Sequence, residues 1–155
     1  MRSAFVRGAI AVVILGSLSN ASAQQAQPST YEVMSEKFFD MLQHDKSSEA
    51  IDYLFAGNPA MKKVPDKIDQ LKAQFASLRT LAGPYISHSV LAESKVAGRF
   101  VYLHYFVAYE RQPISVRITY YRPGATWLGQ SLQFDTNVDD VIQKAADNNI
   151  QVDAH

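Results

Sequence analysis

Four histidines, His44, His88, His104 and His155, are the side chains of this sequence that ordinarily titrate near neutral pH. A histidine serves as a general base when a partner orients it, or as a metal ligand when two or three further donors converge on the same ion. His155 is the last residue of the sequence. His44 follows Asp40 by four, a helical step, and near a helix end a histidine bonds the last carbonyls and meets the dipole. His88 and His104 flank Ala97-Gly98. In a regular hairpin turning there they lie diagonally across adjacent strands, on one face and about 7–8 Å apart. Two histidines fall short of the three or four ligands zinc needs, and Glu93, the nearest acid in sequence, faces the other way in a regular strand. The expectation is therefore no metal and no cofactor.

For acid–base work the best dyad is His104 with Tyr102 or Tyr121, and His104 is the candidate general base of any enzymatic reading. No nucleophile motif accompanies it. Ser131 in Gly129-Gln130-Ser131 lacks the flanking glycine of a nucleophile elbow, and no glycine loop is built to cradle a phosphate. The chain has no cysteine, which excludes disulfides, thiol nucleophiles and thiolate metal sites.

The elements that hold these residues follow from periodicity. Ser29-Thr30-Tyr31-Glu32 fits a capping box with Ser29 as the cap, and Tyr31, Met34, Phe38, Met41 and Leu42 then recur at helical spacing, with Phe39 off the stripe. A second helix spans about Ser47–Ala56 and closes at Gly57, read as a left-handed cap. Pro65 opens a third as a first-turn residue; Ile68, Leu71, Phe75, Leu78 and Leu81 form its stripe, and Gly83-Pro84 ends it. From Tyr85 the pattern is β: strands at Tyr85–Lys95, Arg99–Tyr109, Ile114–Arg122 and Thr126–Phe134, separated by turns too short for parallel crossovers. Asn137 reads as the N-cap of a last helix through about Ala146. The fold class is α+β: three N-terminal helices packed on a curved four-stranded antiparallel meander, with a short C-terminal helix.

That element order, with the aromatic-rich strand Phe100-Val101-Tyr102-Leu103-His104-Tyr105-Phe106-Val107-Ala108-Tyr109, resembles the nuclear transport factor 2-like and cystatin-like superfamily over residues 30–135. The resemblance implies helices lying across a curved sheet, often as a cone with an internal pocket, on a scaffold shared by enzymes, binding modules and subunits. The sequence departs from the common arrangement, which places a strand pair among the helices.

Alternation sorts the strand faces. Ile114, Val116, Ile118 and Tyr120 fall beside Leu128, Leu132 and Phe134, and Val101, Leu103, Tyr105 and Val107 join them as the helix-covered side. The other face carries Tyr102, His104, Phe106, Arg117, Thr119, Tyr121, Trp127, Ser131 and Gln133, and a one-residue slip at a turn would exchange a strand's contribution. Tyrosine, tryptophan and arginine are enriched at interfaces. Tyr102, His104, Phe106, Arg117, Tyr121 and Trp127 are therefore the candidate binding residues, for a homodimer or a periplasmic protein partner. A small apolar ligand between helices and sheet is the other candidate occupant. The helix-covered face has only Tyr105 and Tyr120 as polar-tipped residues, which favours a non-catalytic binding or assembly module over an isomerase- or hydrolase-type enzyme, although Asp40, Asp52 or Asp69 could reach in from the helices.

The N-terminus sets the compartment. Arg2 and Arg7 precede the apolar run Ile10–Leu15, and Ala21-Ser22-Ala23 offers small residues at both positions a signal peptidase reads. The run is shorter than the roughly 20 residues needed to span a bilayer. Residues 1–23 are thus a Sec-type secretory signal cleaved after Ala23, residues 24–29 a polar leader, 30–147 one domain and 148–155 a tail, in a periplasmic or secreted protein. The signal holds two of the 15 basic residues and none of the 15 acidic ones, which leaves the mature chain at −2 with neutral histidines. A near-neutral domain lacks the potential that attracts nucleic acid.

Overall fold

The structure is a computed structural model that describes residues 30–140, 143–144 and 146–147. The expected secretory signal, the expected leader and His155 lie outside the described residues, as does part of the expected helix from Asn137 to Ala146.

Three helices come first: α1 (Tyr31–Gln43), α2 (Ser47–Phe55) and α3 (Pro65–Ala82), with a 3-10 turn at Met61–Lys63 before the last. Thr30 is the N-cap of α1, its hydroxyl accepting from the Val33 amide, so the capping role read for Ser29 belongs to the next residue. The buried side of α1 is Tyr31, Met34, Ser35, Phe38, Phe39 and Leu42. Phe39 is 1% exposed, because the stripe is wide enough to take both i+7 and i+8 positions. The helix ends with the His44 Nδ1 2.7 Å from the Asp40 carbonyl.

Gly57 does not take the left-handed conformation read for it. What its lack of a side chain serves is proximity: a Cβ there would stand 3.2 Å from a Leu128 methyl. Pro65 does sit in the first turn of α3, and Gly83, with φ at +87°, does cap its end.

Four strands follow in one antiparallel meander, β1 (Tyr85–Val96), β2 (Phe100–Tyr109), β3 (Ile114–Tyr121) and β4 (Leu128–Asp135), in spatial order β1-β2-β3-β4. Ala97 and Gly98 both have positive φ in the turn between β1 and β2. The β2–β3 pairing sets Val107 opposite Ile114 and His104 opposite Arg117. Three irregularities bend the sheet: two in β1, between Tyr85 and Ser87 and between Val90 and Ala92, and one in β4, where Gly129 pairs with Tyr120 and Ser131 with Thr119. Each adds a residue to one strand, increases local twist and reverses the facing of what precedes it.

The helices cover the face bearing Val101, Leu103, Tyr105, Val107, Ile114, Val116, Ile118, Tyr120 and Leu132, all buried. Contact between α2 and β4 is close enough that a Cβ on Gly129 would meet the Leu54 carbonyl oxygen at 2.3 Å. Asn58 secures the same junction: buried, it donates from Nδ2 to the Gly129 carbonyl (2.7 Å) and accepts the Ala60 amide (2.9 Å).

Candidate functional site

The face of the sheet away from the helices gathers Tyr102, His104 and Phe106 from β2, Ser115, Arg117, Thr119 and Tyr121 from β3, and Ser131, Gln133 and Asp135 from β4. Register places them in cross-strand pairs: Tyr102 with Thr119, His104 with Arg117, Phe106 with Ser115. The tyrosine and histidine rings of Tyr102 and His104 stand edge to face at 6.4 Å, and the Thr119 and Ser131 hydroxyls share a hydrogen bond of 2.6 Å.

His104 bonds neither tyrosine of the expected dyad. Its Nε2 lies 2.6 Å from the Ser115 hydroxyl. Burial, and then the nearby charge of Arg117, lowers its pKa below the ordinary 6.5. The pair has the spacing of a nucleophile and its base. Ser115, however, is 2% exposed, and a substrate carbonyl has no approach to it.

Trp127 is not on this face. The irregularity after Gly129 turns the preceding residues over, and Trp127 packs on the helix side, its ring 5.1 Å from that of Tyr31 in an edge-to-face contact. The Arg122 guanidinium lies 4.9 Å from the indole centre. The same reversal leaves Leu128 opposite Tyr121 rather than in the core.

His88 moves to the helix side as well. The extra residue between Val90 and Ala92 pairs His88 with Val107, a core-facing residue, and so separates it from His104. Its ring stacks on Phe39 at 4.0 Å and 14°. Nδ1 is 2.6 Å from the Tyr85 hydroxyl and Nε2 is 3.4 Å from a Glu36 carboxylate oxygen. This carboxylate–imidazole–phenol chain is the functional-looking cluster that sequence reasoning missed. The visible hint was Glu36-x-x-Phe39 at helical spacing. Nothing in residue type marked the irregularity that brings His88 to it.

Hydroxyls supply the remaining polarity under the helices. Ser35 donates to the Tyr31 carbonyl (2.9 Å) and its oxygen meets the Tyr120 hydroxyl at 2.8 Å. Burial raises the pKa of Tyr120 and, less strongly, of Tyr105. At the open end Tyr31 donates to Glu93 (2.7 Å), which Lys95 also reaches at 3.1 Å. Burial pushes the Tyr31 phenol up to about 12, and the bond from Tyr31 holds Glu93 below the usual carboxylate value. Asp40, Asp52 and Asp69 are exposed and do not enter the core. Among the described residues no three His, Asp or Glu side chains converge as a metal site.

Hollows of ligand size lie elsewhere. A groove of about 460 Å³ runs between α3 and β4, lined by Phe55, Met61, Val64, Ile68, Leu71 and Leu132 together with Lys67, Ser131 and the glutamines Gln70, Gln74 and Gln130. It adjoins one of about 390 Å³ at the free side of β4 that includes Arg117, Gln133 and Phe134. Neither His88 nor His104 lines them.

The sequence matches no family model and no curated protein. In structure it is similar to a Campylobacter jejuni protein described as an NTF2-like transpeptidase, at a TM-score of 0.52 and 15% identity over 65% of this chain and 97% of that one. A likeness at that identity carries the fold and leaves the chemistry to the residues.

Proposed function

We propose that this NTF2-like chain is an exported, non-catalytic binding or assembly module that self-associates through the uncovered face of its sheet. The observation that carries the reading is the makeup of that face. Tyr102, Phe106 and Tyr121 supply aromatic area on the face of the sheet opposite the core that α1, α2 and α3 cover. Charge is compatible with pairing to a second copy. A two-fold interface sets a patch against itself, so a strongly charged patch repels itself; this one holds Arg117 and Asp135, which offset, and His104, whose lowered pKa favours the neutral form. Aromatic residues on a face that would otherwise carry simple polar ones point to association. Export rests on the Arg2–Ala23 pattern and on the mature chain starting at Gln24, which the intact mass of the recovered protein checks.

The test is the oligomeric state of the double variant Tyr102→Ser/Phe106→Ser. A dimer that becomes a monomer while the fold is kept supports the proposal; an unchanged mass removes it.

A cone-fold enzyme is the second reading, and the Glu36–His88–Tyr85 chain is the observation favouring it. The general base then moves from His104 to His88, the histidine with a carboxylate behind it and a hydroxyl before it. His88→Gln would abolish turnover while leaving assembly intact. The neighbour's transpeptidase description brings no residue with it, since such chemistry needs an accessible nucleophile and Ser115 is buried.

A further inference from the structure

Along the free side of β4 a cation stands without an anion. Arg117 lies opposite Gln133, its Nε is buried with no hydrogen-bond partner, and none of the ion pairs among the described residues engages it. Asp135 is the carboxylate of that face, two residues beyond Gln133, and its Oδ1 accepts the Asn137 amide at 2.9 Å. His104, across from Arg117, bonds Ser115 instead. That Nε is closed off from solvent, but Arg117 also borders an open hollow, and no carboxylate among the described residues pairs with its charge.

The surroundings define that acceptor. Arg117, Gln74 and Gln133 line the 390 Å³ hollow with Leu71, Leu132 and Phe134. Leu71, Gln74 and Leu132 also line the 460 Å³ groove, so the two are continuous and the second, mostly apolar, extends the first beneath α3. Within the 390 Å³ hollow one guanidinium and two neutral amides sum to a single positive charge, which matches a carboxylate head, while Lys67 lines the far part of the adjoining groove. Lys67 to Gln74 is seven helical steps, about 10 Å, the span of an extended chain of about eight carbons.

We infer that this groove is a binding site for a monocarboxylate with an unbranched apolar tail of about eight carbons, its head on Arg117, Gln74 and Gln133 and its tail under α3. Arg117 and Gln133 also belong to the sheet face proposed to pair, so subunit count is measured with and without octanoate, and loss of binding and loss of pairing are read separately.

Titration calorimetry of the mature chain with octanoate, against 1-octanol, octyltrimethylammonium and inorganic phosphate, tests it. Octanoate is expected to bind once per chain, with each control at least about tenfold weaker, the scale of one charge-assisted hydrogen bond. Arg117→Met should weaken octanoate about tenfold. Gln74→Glu, at an exposed position of α3, keeps the fold and should weaken it too, by setting a carboxylate against the head. Octanol binding as tightly as octanoate, phosphate binding more tightly, no octanoate binding, or full affinity in Gln74→Glu or in a folded Arg117→Met overturns the inference.

Discussion

His104 sets a pH dependence whose sign follows from its surroundings. Its folded pKa lies below the ordinary 6.5 because burial and Arg117 disfavour the cation. The unfolded chain therefore takes up the proton first as pH falls. Stability from this residue is full above about pH 6.5 and is lost as pH drops from there toward the folded pKa. His104→Gln should narrow the difference between thermal midpoints measured at about pH 7.5 and 5.5, because the variant no longer has this proton to take up. A second residue-scale expectation concerns Ser35, whose oxygen meets the fully buried Tyr120 hydroxyl. Ser35→Ala leaves that hydroxyl unpaired and should cost about 1–3 kcal/mol in urea unfolding, with part of the loss returned by adding Tyr120→Phe. Tyr120 was legible as a polar-tipped core residue from alternation. Its partner was not, because a serine on an apolar helix stripe announces nothing until the opposing strand is placed.

Three extra residues in the strands decide what each face contains. The helices and the meander were legible because proline, glycine and the change from 3.6 to 2 periodicity mark them plainly. The irregularities at Val90/Ala92 and at Gly129 were not, since Leu91 and Gln130 differ in no evident way from ordinary strand residues. They carried His88 and Trp127 to the helix side, while Tyr102, His104, Phe106, Arg117 and Tyr121, in strands paired without a break, stayed together as expected. The β4 irregularity also brings Gly129 against α2. Gly129→Ala forces its new methyl onto the Leu54 carbonyl, a backbone atom that cannot rotate away, and should destabilise by at least about 1–3 kcal/mol. Trp127→Ala separates the two faces experimentally. Packed on Tyr31, it should lower stability by roughly 2–4 kcal/mol, less than a fully buried tryptophan, and leave subunit count unchanged.

At the scale of the molecule, α1, α2 and α3 cover one side of a bent sheet, and the other side carries Tyr102, His104, Phe106, Arg117 and Tyr121. The interior under the helices is closed by hydroxyl-to-hydroxyl and hydroxyl-to-carbonyl bonds. The central claim is that the open face pairs with itself. The most direct measurement is sedimentation equilibrium of residues 24–155, wild type beside Phe106→Asp. A wild-type dimer that the aspartate converts to a folded monomer is the predicted result, since it buries an unpaired charge in each half of the interface. A wild-type monomer, or a dimer indifferent to the aspartate, would contradict it.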